Sequence, residues 1–258
     1  MSFAATGWAL FDDPELLGWV DAVAPLAREI SGDKAAREAW LRHGGTWFAG
    51  VNILRNGPNG AVQNGPPLSG KAVEFAEKLH GSRPRWDPAQ ISVVYPGYPR
   101  QDETESDAAH RFRKLRDAAH VDGLLPVGPE RRRMMQEPHS FVLGIPLNLT
   151  SPGASPMVVF EGSHEIMRSA FSDALAGTAV DDWANVDLTE IYQVARRRCF
   201  EECARVPIHA KPGQAYVIHR LALHGVAQWD EGATAPEEGR MIAYFRPAFE
   251  GQDWLSAP

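Results

Sequence analysis

The residues with the clearest chemical potential are His120 and Asp122, in Ala119-His120-Val121-Asp122-Gly123. On an extended segment side chains alternate between faces, so positions two apart point the same way. An imidazole and a carboxylate then converge on one small volume. His-x-Asp alone is a weak signal, and a hydrogen-bonded surface pair is the plain alternative. Much later in the chain Pro212-Gly213 marks a turn, Gln214 to His219 reads as a strand, and Leu223-His224-Gly225 follows. Two histidines and one carboxylate on a β scaffold match the facial triad that holds non-haem Fe(II) and leaves open coordination positions. A bidentate 2-oxo acid fits two of these positions and O2 a third. Gly239-Arg240-Met241 opens another strand with an inward-capable arginine. A guanidinium there can grip the far carboxylate of 2-oxoglutarate through a charge-assisted pair. Two alternatives stand beside this set. His219 competes with His224 for the second imidazole, and Arg246 shares the strand parity of Arg240.

Other candidates carry less. His164, in Gly162-Ser163-His164, reads as structural or as a neighbour of the ligands. Ser163-His164 is no hydrolase pair, because adjacent residues rarely face each other and the chain has no Gly-x-Ser-x-Gly elbow. His164-Glu165 lacks a second histidine four residues after the first, so the zincin pattern fails. Arg131-Arg132-Arg133 falls near the proposed site and reads as a solvated loop or ion-pair network, with an acidic-substrate contact as the alternative. Arg196-Arg197-Arg198, next to Glu201 and Glu202, is explained by helical i, i+4 pairing. Asn148-Leu149-Thr150 matches a glycosylation acceptor, which means little without a secretion signal. Cys199 and Cys203 are the only cysteines, too few for a disulfide framework or a four-thiolate zinc site.

These residues need a scaffold, and the rest of the chain supplies it. Its 258 residues suffice for one large domain. The 23 glycines and 20 prolines exceed the usual share and are spread out, as short strands joined by many turns require. The net charge of −7 argues against general nucleic-acid binding. No apolar run is long enough for a membrane span, and the N-terminal residues lack a signal-peptide pattern, so a cytoplasmic location is expected. Residues 1–89 read as a mostly helical flank, with helices over Pro14 to Ile30, Lys34 to Arg42 and Ser69 to Leu79. Pro25 is expected to kink or divide the first, and Ser69 to cap the third. Residues 90–250 read as a core of short strands, with one helical insert at about Asp182 to Cys203. The pattern predicts a single α+β domain over 1–258, mainly β with a helical flank and a jelly-roll core.

In its ordered motifs the chain resembles the phytanoyl-CoA dioxygenase family of Fe(II)/2-oxoglutarate oxygenases. The resemblance runs from about Ile91 to Pro247. It is carried by His120-Val121-Asp122-Gly123, Leu143-Gly144-Ile145-Pro146-Leu147, Val159-Phe160-Glu161-Gly162-Ser163-His164, His219 to Gly225, and Arg240. Glu161 stands where that family usually has proline, and the spacing from His224 to Arg240 is longer than usual. The resemblance implies a double-stranded β-helix of cupin-like type. It implies that His120, Asp122 and His224 bind Fe(II), that Arg240 binds 2-oxoglutarate, and that O2 is consumed. Related halogenases replace the carboxylate with a small residue, so Asp122 favours hydroxylation. The expected partner is a small organic substrate, with no nucleic acid and no membrane. Substrate identity and oligomeric state are not encoded in these motifs. A ligand-binding jelly roll without catalysis, or a cupin-type metal-dependent isomerase or hydrolase, is the alternative.

Overall fold

A computed structural model describes residues 2–250 and 254–256. In chain order its elements are α1 (Phe3–Thr6), β1 (Trp8–Asp12), α2 (Leu16–Gly32), α3 (Lys34–Trp40), β2 (Leu41–Arg42), β3 (Trp47–Gly50), α4 (Lys71–His80) and β4 (Gln90–Val94). Next come α5 (Asp107–Leu115), β5 (Leu124–Val127), β6 (Arg132–Met135), β7 (Phe141–Pro146), β8 (Met157–Phe160) and α6 (Ser163–Leu175). A 3-10 segment (Val180–Asn185), α7 (Thr189–Glu202), β9 (Arg205–Ile208), β10 (Gln214–His219), β11 (His224–Val226) and β12 (Arg240–Phe245) complete the chain.

Seven strands form an antiparallel sheet in the order β1-β10-β7-β12-β4-β3-β2. A smaller sheet, β11-β8-β9, faces it, and β5-β6 is a separate hairpin. This is the jelly-roll architecture expected from the short strands. β7, β8 and β12 are buried along their whole length, as strands covered on both faces must be. Val142, Met157, Val159, Tyr216, Ile218 and Ile242 fill the space between the sheets. On the outer face of the large sheet lie α2 and α4. Leu16, Trp19, Val20, Val23 and Ala27 give α2 its apolar stripe, and Ala72, Val73 and Ala76 do the same for α4.

Several local expectations change. Residues 1–89 are not only a flank, because β1, β2 and β3 extend the large sheet at its two edges. Pro25 lies inside a continuous α2. It sits on the exposed face, where water can satisfy the carbonyl its ring leaves unbonded. α4 is capped not by Ser69 but by the distant Asp13, whose Oδ2 accepts from the Ala72 N–H at 2.9 Å. The helical insert begins at Ser163, well before Asp182, and comprises α6, the 3-10 segment and α7. Among the described residues no helix is long and apolar enough to cross a membrane.

Candidate metal centre

The sheets bring His120 and Asp122 to one mouth of the barrel, where His224 begins β11. His120 and His224 are joined through their backbones: His120 N–H donates to the His224 carbonyl at 2.8 Å, and His224 N–H donates back at 3.0 Å. One ligand atom from each of His120, Asp122 and His224 lies within 4.8 Å of the others. His120 Nε2 is 3.3 Å from Asp122 Oδ1, and His224 Nε2 is 3.7 Å from Asp122 Oδ2.

Whether this set suits a metal is decided by the far side of each ring. His120 Nδ1 lies 3.0 Å from the Ala118 carbonyl, and His224 Nδ1 lies 2.9 Å from the Ala222 carbonyl. A carbonyl only accepts, so each Nδ1 carries a proton and turns Nε2, the atom a metal would take, toward the carboxylate. Burial alone would lower the pKa of His120, but the hydrogen bond and charge of Asp122 raise it. Burial lowers the pKa of His224, which favours the neutral ligand form. Burial alone would raise that of Asp122. The hydrogen bond to His120 and the nearby His224 and Arg246 prevail and hold it well below the usual carboxylate range. Two imidazoles with Nε2 on the carboxylate side and one carboxylate, converging and oriented from behind, fit a divalent first-row transition ion, which would displace the proton at His120 Nε2 on binding.

The turn before His120 is strained. Asp117 and Ala118 both take left-handed φ, 55° and 50°. Such values cost a non-glycine residue roughly 1 kcal/mol or more. The strain is held by a fixed anchor. Asp117, almost fully buried, receives Arg205 of β9 in a two-pronged pair at 2.8 and 2.7 Å. Its own carbonyl accepts from Val226 N–H at 3.0 Å, which ties the turn to β11. The Ala118 carbonyl that orients His120 is thereby set. No sequence signal marked Asp117 or Arg205, because the turn is defined by backbone angles and a partner far along the chain.

The triad opens on a cavity of about 270 Å3. Trp47, Tyr98, Met157, Tyr244 and Arg246 are among its walls. Arg240 lies elsewhere. It is buried at the start of β12 and lines a neighbouring cavity of about 160 Å3 with Tyr216 and Ile242. Between the two cavities the Tyr216 hydroxyl donates to the Tyr244 hydroxyl at 2.9 Å. Burial keeps the Tyr216 pKa well above its ordinary value, so that hydroxyl stays protonated. Arg240 Nη1 is buried without a hydrogen-bond partner among the described residues. A buried guanidinium N–H left unpaired costs free energy until an anion or water meets it. Asn148 fixes the strand here: its Nδ2 donates to the Gly239 carbonyl at 2.7 Å, and its Oδ1 accepts from Met241 N–H at 3.0 Å. Asn148 drew notice in the sequence only as a glycosylation match.

The competing residues fall as follows. Arg246, unlike Arg240, lines the triad's own cavity, with Nη1 3.6 Å from Asp122 Oδ2 and Nη2 donating to Gln90 Oε1 at 2.7 Å. His219 is away from the triad. Its Nδ1 accepts from Leu221 N–H at 3.0 Å, and its Nε2 meets Arg168 Nη2 at 3.1 Å. His164 packs against His219 with the rings tilted, and its Nε2 lies 3.1 Å from the Ala4 carbonyl. Of the arginine run, Arg132 on β6 pairs with Glu130 and Asp187, and Arg133 donates to the Leu124 carbonyl at 3.2 Å. Arg198 pairs with Glu202 at i, i+4 on α7.

No family model matches the chain, and no curated protein sequence matches it. Solved structures do resemble it. The epimerase SnoN in complex with Fe3+, alpha ketoglutarate and nogalamycin RO is 14% identical over 95% of this chain and 80% of its own, with a TM-score of 0.51. EctD from S. alaskensis in its apoform is 16% identical over 95% of this chain and 74% of its own, with a TM-score of 0.47. AviO1 from Streptomyces viridochromogenes Tue57 is 14% identical over 99% and 93%, with a TM-score of 0.44. At such identity the likeness to SnoN is one of fold, and it bears out the jelly roll.

Proposed function

We propose that this chain is an Fe(II)/2-oxoglutarate-dependent oxygenase that hydroxylates a C–H bond of a small organic substrate. The observation that carries the reading is the convergence of His120, Asp122 and His224, with both Nε2 atoms turned toward the carboxylate by backbone carbonyls behind the rings. The fold of SnoN, whose structure holds Fe3+ and alpha ketoglutarate, supports it. The motif order resembles the phytanoyl-CoA dioxygenase family, to which we assign the chain on that ground.

His120, Asp122 and His224 would hold the iron by one face. Arg240, with its unpartnered Nη1, would hold the distal carboxylate of 2-oxoglutarate. When bound, iron and the 2-oxo acid supply the oxidising power, with O2 reduced and 2-oxoglutarate decarboxylated to succinate. The chain's own part is placement. Ala118 and Ala222 fix the two rings, and Asn148 fixes the strand that carries Arg240. Tyr98, Met157 and Tyr244 line the cavity in which the substrate would sit. Asp122 would serve as the third protein ligand, which would leave no vacancy on the protein side for halide and favours hydroxylation over halogenation.

The test is to add Fe(II) and 2-oxoglutarate without oxygen and record the visible charge-transfer band of the chelate. A band followed by succinate on admitting O2 is expected; no band and no succinate would sink the reading. In the same assay Arg240→Ala should raise the 2-oxoglutarate concentration for half-maximal band by about 10- to 100-fold, the worth of a charge-assisted pair. Arg246→Ala should raise it far less, and the reverse ranking would transfer the role.

A further inference from the structure

The cavity at the triad contains groups that iron and 2-oxoglutarate leave unused. Trp47 and Tyr98 form an edge-to-face corner, with centroids 6.3 Å apart and planes at 70°. Both rings are held in advance. The Trp47 indole N–H donates to Ser92 Oγ at 2.9 Å, and His43 stacks on the ring at 5.6 Å and 5°. Tyr98 is almost fully buried, and burial pushes its pKa up to about 12, so the hydroxyl remains a donor. Ala49, Val142 and Met157 add apolar wall. A rigid aromatic corner of this kind favours the flat face or edge of a π-system.

The charges in the same cavity do not balance once a metal is bound. Arg113 and Arg246 are its guanidiniums, and Asp117 and Asp122 its carboxylates. Arg113 is spent on Glu105, with contacts of 3.0 and 2.9 Å to one oxygen. Asp117 is spent on Arg205. Asp122 would go to the metal. Arg246 would then keep only the neutral Gln90 oxygen, and since Asp122 and the C1 carboxylate of a chelating 2-oxo acid would together offset the metal's charge, the guanidinium's own charge would be left over. A largely buried guanidinium in that setting calls for an anion. With the C1 carboxylate of 2-oxoglutarate committed to the metal and its distal carboxylate assigned to Arg240 in the neighbouring cavity, the anion for Arg246 would come from the substrate.

Building on the Fe(II)/2-oxoglutarate reading, we infer that the substrate is an aromatic or conjugated acid, with its ring on the Trp47–Tyr98 corner and its anionic group on Arg246. The cavity of about 270 Å3 suits a compound of one or two rings. Arg246 is then the residue that selects acid over neutral analogue.

The probes are phenylacetate, phenylacetamide and cyclohexylacetate, titrated by calorimetry into protein loaded with redox-inert Zn(II) and 2-oxoglutarate. Phenylacetate should bind at least about tenfold tighter than its amide, and tighter than cyclohexylacetate. Arg246→Gln should erase the acid-over-amide preference, Arg246→Lys should restore part of it, and 2-oxoglutarate affinity should move by less than about twofold. Equal binding of acid and amide, or no saturable binding of phenylacetate, would overturn the assignment. So would Arg246→Gln weakening 2-oxoglutarate with the acid preference intact, which would give Arg246 to the co-substrate. The chelate band, recorded first, separates the two levels: a normal band with no acid preference refutes only the substrate class, and no band refutes both.

Discussion

Two pairs of imidazoles in this molecule have nearly the same geometry and opposite surroundings. The rings of His120 and His224 are 5.0 Å apart at 45°, and those of His164 and His219 are 4.9 Å apart at 43°. The first pair has Asp122 between its Nε2 atoms and a cavity in front. The second is ringed by cations: Arg168 touches His219, and Arg220 follows it in the chain. Among the described residues no carboxylate is paired with both of its rings, although Glu165 lies 3.3 Å from His164 at the exposed edge. Ring spacing alone therefore says little about metal binding. What matters is where the lone pairs point and which charge they meet.

The largest expected effect follows from Asp122. Asp122→Ala should weaken metal binding by at least about 100-fold and abolish turnover, while far-UV circular dichroism stays unchanged. His219→Ala should leave metal affinity within about twofold, because its ring belongs to the cationic cluster. Full metal affinity in the Asp122 variant, or a large loss in the His219 variant, would invert the contrast.

An intermediate effect is expected from the anchor behind His120. Asp117→Asn keeps the shape but loses the charge that holds Arg205, so the strained turn should relax. Metal affinity should fall about tenfold, as for other residues that orient a ligand from behind. A metal titration of this variant with unaltered affinity would show that the turn holds His120 unaided.

The smallest effect concerns pH and belongs to the second pair. Burial first, then Arg220, His164 and Arg168, push the pKa of His219 down to about 2. The unfolded chain binds that proton near pH 6.5, and the folded one does not. Stability is unaffected above pH 6.5 and falls as pH drops below it, by up to about 1.4 kcal/mol per pH unit for this one group. His219→Gln should therefore flatten the loss of unfolding free energy between pH 6.5 and 5, measured by urea titration. An unchanged slope would mean that His219 is protonated in the native state.

Much of this was legible in the sequence, for reasons specific to each segment. β7 and β12 announced themselves because apolar residues run through them and Gly or Pro bounds them. The triad was legible because His120 and Asp122 share a face by parity, and because its motifs come in a fixed order. β1 escaped notice: Trp8–Asp12 is a half-exposed edge whose pairing partner, β10, lies some two hundred residues away. α5 escaped because none of its residues is buried and its composition is polar overall, so too few apolar residues mark its inner side. Strand parity correctly turned Arg240 and Arg246 inward. It could not say that one would line the triad's cavity and the other its neighbour, since the strand carries them to different depths of the barrel.

Gly225 lends the site a further property. It follows His224 directly, and a methyl group placed on it would overlap the Asp117 carbonyl and crowd the Ala119 backbone. The strand bearing one ligand and the turn bearing the other thus lie backbone against backbone, with no side chain between them to cushion the contact. Any substitution at Gly225 must pry the two apart and shift both imidazoles at once. The position is a single point through which a mutation could dismantle the metal centre without altering a ligand, and in a mutational scan it should be as intolerant as the histidine beside it.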